Sequence, residues 1–302
     1  VENVDLRSIE YLISCGARLI KGESQKILLI AASLQSDHFL SLILRRIGAG
    51  NKELEALDEF GDSPLHIVCG AKEPSIAAAH LLLEASIDVE RLNSKGLTPI
   101  LKALSCNTRP TMAVFLLESK ANPNHASPSN ASPLIFACRF LKSPKIIVDA
   151  LIEKGAHVNH QENVSRFAPL HVLAARDDSN EDGVMEAAQS LLRSGANVKI
   201  KDRDSRLPLH VAHETAARLG IPIHSSPLIA LLLSQAGHSE VFARDGLGLL
   251  AREVYEEAKA EEIPVTTTRI RTAVGGLYAV DERVASSRAS LTSYDAGWGA
   301  PE

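Results

Sequence analysis

Asp178-Ser179-Asn180-Glu181-Asp182-Gly183 has the residue types and spacing that open a calcium-binding loop. Alternate oxygen ligands there converge on a hard cation, and glycine permits the sharp turn. Glu186 stands at the ninth position of such a loop, but the twelfth is Gln189, which has no bidentate carboxylate to complete the shell. The run from Ala187 to Leu192 has helical period, so the segment reads as an acidic insertion between two helices. His66, His171 and His210 are of the right type for proton transfer, but each follows the same short phrase and sits a long interval from the next. His213-Glu214 lacks the second histidine of H-E-x-x-H, and His157, His160 and Glu162 share one polar, turn-rich stretch. No G-x-S-x-G nucleophile signature and no glycine-rich phosphate loop occurs, Gly275-Gly276 standing alone. These spacings imply no catalytic set, no metal site and no cofactor.

The elements that carry the histidines explain their spacing. A small or hydroxyl residue, then Pro, then Leu or Ile, often then His, recurs as Ser63-Pro64-Leu65-His66, Thr98-Pro99-Ile100, Ser132-Pro133-Leu134, Ala168-Pro169-Leu170-His171 and Leu207-Pro208-Leu209-His210. The prolines lie 35, 34, 36 and 39 residues apart. A period in this range means one supersecondary unit copied and stacked. Ser or Thr before Pro caps free N–H groups, and proline at the first helical position loses nothing by lacking its own.

Apolar runs with helical period follow in phase: Ile9 to Ala17, Phe39 to Ala49, Ile76 to Ser86, Met112 to Ala121, Ile146 to Ala156, Ala187 to Ala196 and Leu228 to Gly237. Each is a stripe on one helix face. Gly16, Gly48, Gly155 and Gly195 stand where a residue of positive φ closes a helix. Each unit is therefore a projecting turn, a short helix, a loop, a second helix and a glycine turn. Cys69 and Cys138 each lie six residues after the serine of their phrase, as small hydrophobes of first helices; Cys15 and Cys106 complete the set without C-x-x-C spacing. Free thiols of this kind suit a reducing compartment, in which the sequons at Asn130 and Asn163 go unused.

Asp58, Gly61, Ser63, Pro64, Leu65 and His66, then Asn93, Gly96, Thr98 and Pro99, Gly155, Ala156, Val158 and Asn159, and Gly195, Ala196, Asn197 and Val198 together resemble the ankyrin repeat. The likeness covers roughly residues 7 to 262. Repeats run longer than the family's ~33 residues, Leu101 and Ile135 replace the histidine, and a degenerate last copy reads Asp245, Gly248, Ala251-Arg252-Glu253. The resemblance implies an all-α solenoid of about seven to eight copies over 1–262, the first and last incomplete or degenerate. It also implies that His66, His171 and His210 tie adjacent finger turns to helix starts.

Hydrophobic residues make up 45% of the 302, but aromatic ones only 4%, which suits thin stacked helices. A net charge of −5 without a long basic run argues against general nucleic-acid binding, and no apolar stretch is long enough to cross a membrane. The chain begins with Val1, in front of an unpartnered second-helix run, as a segment of a longer protein would. Residues 263–302 leave the pattern: alternating apolar positions (Val265, Ile270, Val274, Leu277, Val280), several serines and Gly297-Trp298-Gly299 read as a low-order tail with a docking segment. Arg283-Val284-Ala285-Ser286 in that tail suits a basic-directed kinase.

In the family, partners lie along the finger turns and the exposed face of the first helices. Carried onto this sequence, that surface is Phe60, Lys95, Arg139, Arg166, Phe167, Arg176, Arg203 and Arg206. Exposed aromatics and arginines dominate interface energies. Glu53, Glu55, Asp58 and Glu59 make the early finger region acidic, while Lys199, Lys201, Arg203 and Arg206, moderated by Asp202 and Asp204, make a later one basic, so the surface would orient an extended partner. The expected function is a non-enzymatic, intracellular protein-interaction module, monomeric as a segment, binding neither nucleic acid, membrane nor small-molecule substrate. The alternative is the recognition arm of a larger enzyme or receptor whose catalytic or nucleotide-binding part lies upstream.

Overall fold

A computed structural model describes residues 11, 15, 23–48, 50–106, 110–179, 181–237 and 241–260. The expected tail 263–302 and most of the run Ile9–Ala17 lie outside them. Among the described residues there are thirteen α-helices and no named strand. Six pairs stack in order: α1 (Glu23–Leu34) with α2 (Asp37–Ile47), α3 (Pro64–Cys69) with α4 (Ile76–Glu84), α5 (Pro99–Ser105) with α6 (Pro110–Glu118), α7 (Pro133–Phe140) with α8 (Lys145–Glu153), α9 (Pro169–Ala174) with α10 (Asp182–Arg193), and α11 (Pro208–Arg218) with α12 (Pro227–Gln235). A last helix, α13 (Ala251–Ala260), packs on α11. Each first helix of a pair packs on the next first helix along the stack, which is the solenoid implied by the resemblance.

The local reasons are those of the repeated phrase. Pro64, Pro99, Pro133, Pro169 and Pro208 each occupy the first turn behind an extended N-cap residue. Ser63 and Ser132 accept the third backbone N–H of their helices at 3.4 Å. Thr98 differs, since its hydroxyl makes no cap bond and is buried without a partner. First helices are apolar on nearly every face: Leu65, Ile100, Leu101, Leu134, Ile135, Phe136 and Leu173 have almost no exposure, because neighbours cover both sides. Second helices bury a single stripe, as Ile147, Val148 and Leu151 do in α8. Truncating such a leucine to alanine costs about 2–5 kcal/mol.

Three features depart from the sequence reading. The helix α1 has no Pro phrase and was not anticipated; Leu28, Ala31 and Ala32 bury it against α2 and α3. The acidic insertion is shorter than expected, because α10 already starts at Asp182 and runs for 12 residues against 9 in α8. And α11 continues to Arg218, buried from Pro208 to Ala217, because α13 covers its far side. Ala251, Val254 and Tyr255 of α13 face the stack, whereas Arg252, Glu253, Glu256, Glu257 and Lys259 face outward, a polar closing surface.

Candidate protein-interaction surface

Among the described residues six finger turns project from the stack, and each is built alike. The first residue accepts backbone N–H groups of its own turn through its side chain. Asp58 Oδ1 takes those of Phe60 and Asp62 at 2.9 and 2.8 Å, and Asn93 Oδ1 those of Lys95 and Leu97 at 3.0 and 2.9 Å. Asp202 Oδ1 takes those of Asp204 and Arg206, and Asp245 Oδ1 those of Leu247 and Leu249. Ser127 Oγ accepts from Ala131, and Glu162, heading a turn one residue longer, accepts from Val164 and Ser165. A residue of positive φ closes each turn: Gly61, Gly96, Asn130, Arg166, Ser205 and Gly248. At Gly96, φ is +67° and an added Cβ would lie 2.5 Å from the Pro128 ring, so that position has neither the backbone freedom nor the room for a side chain.

Adjacent fingers are bonded into a ladder. Ser94 donates to the Phe60 carbonyl (3.2 Å), Asn163 to Ser129 (2.9 Å), Arg203 to Ser165 (2.9 Å) and Gly246 to Asp204 (2.8 Å). At the remaining junction the donor position is Pro128, which has no N–H, and its ring packs on Gly96 instead.

The histidines fasten ladder to helices. His66 Nδ1 accepts the Ser63 N–H at 3.2 Å and its Nε2 donates to the Leu97 carbonyl of the next finger at 2.9 Å. His171 does the same between Ala168 and the Arg206 carbonyl (3.4 and 3.1 Å), and His210 between Leu207 and Ala243 (3.3 and 3.1 Å). All three act as neutral rings with the proton on Nε2. Burial lowers each imidazole below its ordinary pKa, His171 to about 4.

This geometry sorts the residues expected to meet a partner. Phe60 and Lys95 occupy the same outward tip position in neighbouring turns, and both are exposed. Arg166 and Arg203 are exposed on later fingers, the Arg203 guanidinium lying 3.3 Å from the Val164 carbonyl. Arg139, on α7, is half-buried. Phe167 is a correction: it is 1% exposed and stacks on His171 with centroids 5.4 Å apart. Its place, the last of the turn, points into the stack, as do Leu97 and Ala131. Arg206 fills the same place and is a second correction, its side chain only 17% exposed. It donates to Asp202 Oδ2 and Glu214 Oε2, both at 2.9 Å. Burial opposes its charge, but Asp202 and Glu214 outweigh that and hold the guanidinium above its ordinary pKa. Glu214 is raised by its own burial, against the pull of Arg206 and Arg218. Arg176, the third correction, is pinned to the Cys138 and Leu141 carbonyls (2.7 and 2.8 Å) and to Asp178, so it neutralises the end of α7 rather than reaching outward. Those bonds also occupy Asp178, the first oxygen of the calcium-like motif.

The sequence reading also missed Leu247, which shares the tip position of Phe60 and is 80% exposed. Aligning the six turns on their first residue would have shown both the tip row and the inward row. Cys69 and Cys138 are buried free thiols, as their shared register implied, and burial pushes Cys138 up to about 12.

Comparison with known proteins agrees with this architecture. No protein-family model matches the chain. The mouse B-cell lymphoma 3 protein homolog is 31% identical over 160 residues, 52% of this chain and 34% of that protein. Human neurogenic locus notch homolog protein 1 is 28% identical over 155 residues, 51% of this chain and 6% of that protein. Mouse ankyrin repeat and SOCS box protein 6 is 29% identical over 121 residues, 40% of this chain and 27% of that protein. The aligned stretch is thus about a third or less of these relatives' own lengths. All three are ankyrin-repeat proteins. The paired helices, the bonded fingers and the histidine ties are, like these likenesses, those of an all-α ankyrin-repeat solenoid.

Proposed function

We propose that the array is a non-enzymatic module that binds a partner protein along its finger turns and the adjoining ends of the first helices. One observation carries this reading: Phe60, Lys95, Arg166, Arg203 and Leu247 stand exposed on finger turns bonded to their neighbours, the Phe60 turn to the Lys95 turn and the Arg166, Arg203 and Leu247 turns in series. A surface fixed in this way loses little freedom on binding. Its charge runs from Glu55 and Glu59 at one end to Arg166, Lys199, Lys201 and Arg203 at the other, so an extended partner of opposite polarity docks in one direction. Arg139 adds a contact on α7, whereas Phe167, Arg176 and Arg206 shape the surface from within. The array belongs to residues 1–262, with 263–302 a separate segment, and acts as a monomer inside the cell without nucleic acid, membrane or small-molecule substrate. The free thiols support that compartment. Among the described residues, no helix is long and apolar enough to cross a membrane.

The test is charge reversal at two exposed arginines, Arg166→Glu with Arg203→Glu. The reading requires loss of partner binding with an unchanged melting temperature; unchanged binding would remove it. A second reading, the recognition arm of a larger multidomain enzyme or receptor, is favoured by the small share of each relative that the chain spans. The complete reading frame decides it, by presence or absence of a catalytic or nucleotide-binding signature upstream.

A further inference from the structure

On the outer side of the array, consecutive second helices pack directly at α2–α4, α6–α8, α8–α10 and α10–α12. Between α4 and α6 there is instead an open cleft of about 410 Å³, lined by His80, Leu83, Glu84, Ile87 and Phe115 among others. Within its lining the His80 and Phe115 rings meet, with centroids 6.3 Å apart and planes tilted by 41°, so they bridge α4 and α6 at one point. The floor is apolar, and Ile76 leaves further apolar surface exposed on α4.

The rim is acidic. Glu84 lines the cleft and sits 3.5 Å from His80. Asp88 lies between the lining residues Ile87 and Val89, Glu90 follows directly, and Glu118 is one helical turn beyond Phe115 on the same face. Lys120 and Arg91 are the cations nearby in sequence, and His125 lies 3.3 Å from Glu90. Glu84 thus lines an apolar cleft, and the exposed Asp88 and Glu118 stand on residues adjoining its lining, while Glu90 is bonded to Asn122 and His125.

We propose that this outer cleft is a second docking site, separate from the fingers, for a short basic peptide segment of a partner protein. One aromatic or long aliphatic side chain enters the cleft beside the His80–Phe115 pair, against Leu83 and Ile87, and flanking Lys or Arg meet Glu84, Asp88 and Glu118. The apolar anchor supplies affinity, and the charges supply direction and discrimination. The proposal does not depend on the finger surface.

The probe is a fluorescent peptide, Arg-Lys-Phe-Leu-Lys-Arg, titrated against the full chain by anisotropy, with Glu-Glu-Phe-Leu-Glu-Glu as its control. Saturable binding of the basic peptide, weakened by salt, is expected. The pair Glu84→Lys with Glu118→Lys, on exposed positions that leave the fold intact, weakens it by about tenfold or more. Phe115→Ala weakens it with less salt sensitivity, and Arg166→Glu with Arg203→Glu leaves it unchanged. No saturable binding overturns the proposal, as does equal binding of the acidic control or indifference to the Glu84 and Glu118 reversals. Loss through the Arg166 and Arg203 pair instead would assign the peptide to the fingers and overturn it equally.

Discussion

His171 Nε2 stands 3.1 Å from the carbonyl oxygen of Arg206, 35 residues further along the chain, and that contact bonds the start of one helix to the finger of the next repeat. His66 with Leu97 and His210 with Ala243 repeat it. These rings cannot gain a proton without losing the Nδ1 lone pair that accepts the N-cap N–H. An unfolded imidazole titrates near about 6.5, whereas folded His171 is held at about 4. Between those values the unfolded chain takes up a proton that the folded chain refuses. Stability therefore falls as pH drops from about 6.5 to 4, on the order of 3 kcal/mol for His171, and His66 and His210 act with the same sign. Chemical denaturation across that range checks it. His171→Ala lowers stability at pH 7 by about 2 kcal/mol and flattens the acid limb.

Gly96→Ala forces a side chain into a backbone of φ +67° and against Pro128. A loss of about 1–3 kcal/mol is expected. Gly155→Ala, also at positive φ but with open space around it, costs less. Paired thermal melts of the two variants give the comparison.

Arg206→Ala removes the cation that Asp202 and Glu214 share and leaves only Arg218 to act on Glu214, with Asp202 fully buried and Glu214 nearly so. A loss of about 3 kcal/mol is expected, and adding Glu214→Leu restores part of it. A merely exposed ion pair would give under about 1 kcal/mol and no rescue.

Cys15 is exposed, whereas Cys69 and Cys138 are enclosed in first helices and their thiols are raised by burial. Under native conditions a thiol reagent labels Cys15 rapidly, and Cys69 and Cys138 react only at the unfolding rate. Mass-spectrometric mapping of labelled peptides over time distinguishes them.

The period of the Pro phrase made the first helices and fingers legible, because each copy states the same cap, proline and apolar triplet. The histidine ties were legible through the family likeness. What was hidden depends on depth. Phe167 and Arg206 look like surface residues by type, yet their place in the turn points inward, where one stacks and the other is neutralised by Asp202 and Glu214. Arg176 was misplaced for a related reason: the carbonyls that hold it belong to the preceding repeat, 38 and 35 residues away. The cleft beside His80 and Phe115 depends on how far two helices stand apart, which no single-repeat pattern encodes.

The bonded fingers are proposed as the recognition surface. Quantitative affinity capture with the wild-type chain and with Arg166→Glu and Arg203→Glu together, at matched folded stability, addresses it most directly. A defined set of captured proteins is expected, with recovery about tenfold lower in the reversed variant. Identical recovery from both chains would contradict it.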